Sequence, residues 1–198
     1  MSEIALSCRC GTLGGVLHHG AGAGSRVLCY CRDCQTGAHA LGAGDLLDAR
    51  GGSAIFQTIP ARVEITSGRD RLACLRLSPK GLMRWYAACC DTPLFNTLGT
   101  PRLCFVGVLE HAVAPGARDH LGPLVSVANT GGARPGEPAP KPRGVALAGF
   151  NIVSRHFAAL LRGRRTTPFF KADGSAVVAP RVLSLDERRA ATPPHLAG

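Results

Sequence analysis

Seven of the nine cysteines fall in three tight groups: Cys8-Arg9-Cys10, Cys29-Tyr30-Cys31-Arg32-Asp33-Cys34 and Cys89-Cys90. Short spacings of this kind let one loop aim several sulfurs at a single ion. Thiolates select zinc over magnesium or calcium, which take oxygen ligands. The groups contain enough sulfur for one closed site of four ligands and one open site of three, so up to two zinc ions are expected. Two other readings use the same residues. An iron–sulfur cluster takes the same ligand type, and a reduced cysteine can simply pack as a small hydrophobe. The succession CxC, CxCxxC and CC favours ligation over packing.

A zinc ion on three thiolates carries a net charge of −1 and keeps a coordination position open. It can accept a further thiolate or polarise a carbonyl oxygen. A fourth thiolate at that site raises the charge to −2, which calls for nearby cations. Arg9, Arg26 and Arg32 are the arginines closest in sequence to the ligands, although plain solvent exposure is the better reading for any one of them. His18, His19 and His39 are the nearest histidines; a surface or loop role is the better reading for any one of them, and His39, five residues after Cys34, is the best placed to reach an open site. Cys74 and Cys104 sit in apolar runs and read as core, as do Trp85 and Tyr86.

The elements that must position these groups are short strands. With 25 glycines and 14 prolines in 198 residues, turns are frequent and long helices are disfavoured. Residues 13–17 and 72–77 are apolar runs, and residues 61–66 alternate so that Val63 and Ile65 share a face. Gly51-Gly52, Ser67-Gly68 and Pro79-Lys80-Gly81 supply the breaks. Residues 103–109 make one more strand candidate. The pattern predicts a mainly β unit over residues 4–110. Residues 129–144 are too rich in glycine and proline for a regular element and read as a loop. Phe150, Val153, Phe157, Leu160 and Leu161 then recur at helical spacing, with Asn151 as a cap and Gly163 as a stop. Packing is the expected role of that stripe. Residues 111–198 are accordingly expected to add a loop, one amphipathic helix and a basic tail, packed on the β domain or extending it.

The apolar fraction of 45% supports a buried core, and no apolar run reaches the ~20 residues that span a bilayer. The first residues carry no basic start, long apolar stretch or cleavage site, so a cytoplasmic protein with reduced thiols and no membrane association is expected. The net charge is +10. It is concentrated late, with ten Lys/Arg against three acids in residues 141–198. Such a surplus suits nucleic acid or anionic small molecules, or is merely a solvated face. No aromatic side chains interleave with the arginines to form a stacking platform.

The stretches Cys8-Arg-Cys-Gly-Thr-Leu-Gly-Gly, Cys29-Tyr-Cys-Arg-Asp-Cys-Gln-Thr-Gly-Ala and Cys90-Asp-Thr-Pro-Leu-Phe carry a resemblance. The chain resembles the glutathione-dependent formaldehyde-activating enzyme family, whose domain also occurs in a centromere-associated protein and has the Mss4-like zinc-binding β fold. The likeness covers residues 6–98 and looks like a bacterial branch with a C-terminal extension. It implies a structural zinc on Cys8, Cys10 and Cys90. It implies a second zinc on Cys29, Cys31 and Cys34, which binds glutathione and promotes its addition to formaldehyde, giving S-hydroxymethylglutathione. Two positions depart from the family. Ala87 stands where the first cysteine of the later pair belongs; Cys89 replaces it if the backbone turns between the adjacent residues, and otherwise faces elsewhere while a water or another side chain completes the site. Tyr30 stands where the family usually has histidine. Two functions therefore remain: a carbon–sulfur lyase-like enzyme acting on an aldehyde adduct of glutathione or another small thiol, and a non-catalytic zinc module whose basic C-terminal segment binds a partner such as nucleic acid.

Overall fold

The computed structural model describes residues 2–197. It is mainly β, with two sheets and three α-helices among the described residues. The smaller sheet has the order β1-β2-β5, built from β1 (Ser2–Ser7), β2 (Gly14–His19) and β5 (Val63–Ser67). The larger sheet contains β3 (Ser25–Cys29), β4 (Ser53–Thr58), β6 (Leu72–Arg76), β7 (Met83–Ala87), β8 (Thr92–Thr97), β9 (Val106–Leu109), β10 (Leu124–Ala128) and β11 (Arg181–Val182). Its order is β10-β3-β4-β9-β8-β7-β6-β11. The two edge strands pair in parallel, and the interior pairs are antiparallel hairpins and crossovers.

The alternation read in residues 61–66 is realised in β5, where Val63 and Ile65 point into the core and Glu64 points out. Strand β9 is shorter than residues 103–109. Cys104 lies before it, buried between Ile59 and Ala159, so it is a core residue but not a strand residue. Residues after 110 supply both edge strands and part of the core. Phe169 and Phe170 stack on the fully buried Trp85, with ring centroids 5.1 and 6.2 Å apart, and the Trp85 indole N–H donates to Thr97 Oγ1 at 2.9 Å.

Helix α1 (Arg32–Ala40) follows β3 after two residues, and α2 (Val145–Leu161) packs over β10 and β3. Helix α3 (Leu185–Ala191) lies against α1. The helix expected over 150–161 starts earlier than its apolar stripe. Asn151 is not its cap but an interior residue, whose amide donates to Ser25 Oγ at 3.2 Å; Gly144, at φ 62°, precedes the first turn. The stop holds, with Gly163 in the left-handed region just past the helix end. The role of the stripe does not hold. Phe150, Phe157 and Leu161 are 68%, 58% and 88% exposed, while the small residues Ala148 and Ala159 are buried. Helix and sheet approach closely through alanines, and the bulky side chains are left facing solvent.

Candidate metal centres

The first cluster forms where two hairpin turns meet. Cys8 and Cys10 occupy the turn between β1 and β2, which closes with Gly11 N–H on Cys8 O at 3.1 Å and Gly11 at φ 76°. The Leu13 amide donates to Cys8 Sγ at 3.3 Å. Cys89 and Cys90 occupy the turn between β7 and β8. There Cys90 N–H bonds Ala87 O at 3.2 Å and Asp91 adopts φ 51°. This turn lifts the pair out of strand geometry, so adjacent cysteines face one point. It ends at Asp91; Thr92 and Pro93 already belong to β8.

The sulfur separations are 3.5 Å for Cys8–Cys10, 3.3 Å for Cys10–Cys89, 3.9 Å for Cys8–Cys89 and 3.9 Å for Cys89–Cys90. All four sulfurs lie within 4.8 Å of one another. Four sulfurs at ~2.3 Å from one ion in a tetrahedron sit about 3.8 Å apart, so the spacing fits a closed four-thiolate site. None is in a disulfide, and all nine cysteines are free. Hydrogen bonding to Thr12 draws Cys10 down to about 6, and the bond with Cys10 pushes Cys89 up to about 12.

The second cluster joins the end of β3 to the start of α1. Cys29 is the last residue of β3, Cys31 caps α1, and Cys34 lies in its first turn; their sulfurs are within 4.8 Å of one another. The Cys34 amide donates to Cys31 Sγ at 3.3 Å. The positive end of the helix dipole therefore falls on the sulfurs and favours thiolate. Asn129, just past β10, donates its side-chain amide to Cys29 Sγ at 3.2 Å. Ile55 and Leu109 cover the cluster from the sheet side. Hydrogen bonds with Cys31 and Cys34 hold the Cys29 thiol far below its ordinary range, and hydrogen bonds with Cys29 and Cys31, together with burial, push Cys34 up. Gln35 fixes the loop from below, donating to Tyr30 O at 2.9 Å and Gly132 O at 2.7 Å.

The side chains expected to assist are placed differently. Tyr30 points away from the sulfurs to Asp48, at 3.0 Å, and burial together with that contact pushes its phenol up to about 12. Arg9 pairs with Asp45, and Arg26 forks onto Glu110 at 2.8 and 2.9 Å. His39 packs on Gly44 and lines a separate cleft with Arg134 and His195. His18 faces Glu3 and Glu64, and His19 stacks on Phe56. The histidine that shares a pocket with Cys34 is His111, whose Nε2 lies 2.5 Å from Pro93 O. Arg84 and Asn96 line the same pocket. Neither His111 nor Arg84 has a sequence neighbour in a motif, so spacing alone could not single them out.

A family model, described as a family of unknown function, DUF6151, matches residues 1–179. The chain belongs to that family. One solved structure, a Rhodobacter sphaeroides protein determined in a structural-genomics programme, is 15% identical, covering 61% of this chain and 96% of its own, with a TM-score of 0.41. No curated protein matches the sequence. Membership in DUF6151 assigns no chemistry, so the cysteine clusters themselves carry the functional reading. No helix among the described residues is long and apolar enough to cross a membrane.

Proposed function

We propose that this DUF6151 chain is a zinc-thiolate protein with one closed, structural ion and one open, reactive ion. Cys8, Cys10, Cys89 and Cys90 hold the first, and Cys29, Cys31 and Cys34 hold the second. The observation that carries the reading is the convergence of seven sulfurs, from positions up to 82 residues apart, into one group of four and one group of three. Zinc is favoured because thiolate groups select it over cations that take oxygen ligands, and a four-sulfur group is a usual structural zinc setting.

Cys29, Cys31 and Cys34 would hold the ion, which would supply a Lewis-acidic position for the thiolate of a small thiol. The protein does the rest. Asn129 and the α1 N-terminus hold the ligand sulfurs as thiolates, and Ile55 and Leu109 exclude water from behind. His111 donates Nε2–H to Pro93 O, which leaves Nδ1 as the ring's proton acceptor. Burial, aided by the positive charge of Arg118 and Arg9, keeps the ring neutral. The supported reaction class is reversible carbon–sulfur bonding between a thiol and an aldehyde, consistent with the resemblance to glutathione-dependent formaldehyde-activating enzymes. The thiol sulfur bonds the carbonyl carbon, and the thiol proton passes by way of His111 Nδ1 to the carbonyl oxygen.

Glutathione titration of the zinc-loaded protein tests this reading. Uptake at one site per chain, lost in Cys31→Ala but kept in a variant of an exposed residue such as Phe157→Ser, is the expected result. Two coordinatively saturated ions that bind no thiol would reduce the protein to a zinc module.

A further inference from the structure

Arg84 lies in β7, opposite Asn96 of β8, and is 6% exposed. Among the described residues its guanidinium has no ion pair and no side-chain hydrogen bond, and Nε is buried without an acceptor. A guanidinium keeps its charge at every accessible pH. Burying one without an anion is costly, so such a group marks a place where an anion arrives.

The space around Arg84 is built for it. A Cβ on Gly37 would lie 2.8 Å from Arg84 Cδ and 2.9 Å from Nε, so α1 crosses the guanidinium only because a glycine stands there. Gly37 follows Cys34 by three residues, an axial rise of about 4.5 Å. Cys34 and Arg84 line one narrow, partly open cleft with Asn96, Ser53 and His111. The remaining wall is largely apolar, including Leu41, Leu46 and Leu109.

Building on the open three-cysteine ion proposed above, we infer that this cleft binds a small thiol bearing a carboxylate, with the sulfur at the metal and the carboxylate on Arg84. A carboxylate fits better than a phosphate. One planar fork of N–H groups matches its two oxygens and single charge, and the amide of Asn96 adds a neutral donor. A dianion in this apolar cleft would lack a second cation. The same contact selects among thiols, because an uncharged thiol leaves the guanidinium unpaired.

The test uses full-length zinc-loaded protein and three probes at matched ionic strength in a calorimeter: 3-mercaptopropionate, 2-mercaptoethanol and propionate. The wild type is expected to bind 3-mercaptopropionate about tenfold or more tighter than 2-mercaptoethanol, and Arg84→Gln is expected to bring the two together without weakening 2-mercaptoethanol. Propionate on the wild type supplies a readout that needs no variant: it should compete with 3-mercaptopropionate and leave 2-mercaptoethanol binding unchanged. Thiol binding with no preference that depends on Arg84, or no such competition by propionate, overturns the inference and leaves the open metal site standing. No binding of either thiol, with the zinc content intact, overturns the open site and the inference together.

Discussion

The Asn129 side-chain amide donates to the sulfur of Cys29 at 3.2 Å, tying the end of β10 to the end of β3, which run parallel with Ala128 opposite Cys29. A hydrogen bond to a ligating thiolate steadies its charge and direction, and loss of such an outer partner typically costs 10–100-fold in metal affinity. Asn129→Ala should therefore lower affinity at the three-cysteine group by about 10–100-fold. Chelator competition would read this as one ion released early, with the other unchanged. Equal retention of both ions would remove Asn129 from the account.

The two groups should respond differently to loss of a sulfur. Cys10→Ala breaks the closed group that pins the β1–β2 turn to the β7–β8 turn, and structural zinc contributes directly to folding. Circular dichroism should show a large loss of stability or an unfolded chain. Cys31→Ala should keep the fold and lose one metal equivalent. Loss of all metal and all structure in both variants would contradict the division.

The Trp85–Phe169 contact makes the late segment part of the core. Phe169→Ala should cost about 3–5 kcal/mol, measured by denaturation followed through the fluorescence of Trp85, the single tryptophan. By contrast, Phe157→Ser on the exposed side of α2 should stay within about 0.5 kcal/mol of wild type. Ala159→Leu, on the buried side, should cost about 1–3 kcal/mol through overpacking.

His111 sets a pH dependence of stability. Burial lowers its folded-state pKa below the ordinary value near 6.5. Below pH ~6.5 the unfolded chain takes up a proton that the folded chain refuses, so stability falls as pH falls, by at most about 1.4 kcal/mol per pH unit until the folded pKa is reached. Above that window His111 contributes no slope. Denaturant unfolding at pH 7.5 and 5.5 should show a smaller acid loss in His111→Gln than in wild type. An equal loss would mean that acid sensitivity arises elsewhere.

The mainly β architecture, the break positions and the grouping of sulfurs were legible because each is local: alternation in residues 61–66, glycine pairs at turns, cysteines within a few positions. The orientation of α2 was not, since a helical stripe reports which residues share a face but not which way that face points. Neighbouring strands decided it, by admitting Ala148 and Ala159 and leaving Phe150 outside. Helix α3 carries a local sequence signal of its own, the capping box Ser184–Glu187, whose reciprocal bonds are 2.8 and 3.2 Å. His111 and Arg84 reach the three-cysteine pocket through sheet pairing, and sequence distance misdirected attention to His39, Arg9 and Arg26. The turn that lets Cys89 and Cys90 face one point depends on Asp91 entering the left-handed region, which the pair itself does not announce.

Metal content combined with X-ray absorption at the zinc edge addresses the central claim most directly. The account predicts about two zinc ions per folded chain, each with sulfur at about 2.3 Å and an average of about 3.5 protein sulfurs per ion. A folded chain that purifies without zinc, or whose zinc is ringed by nitrogen and oxygen, would contradict it.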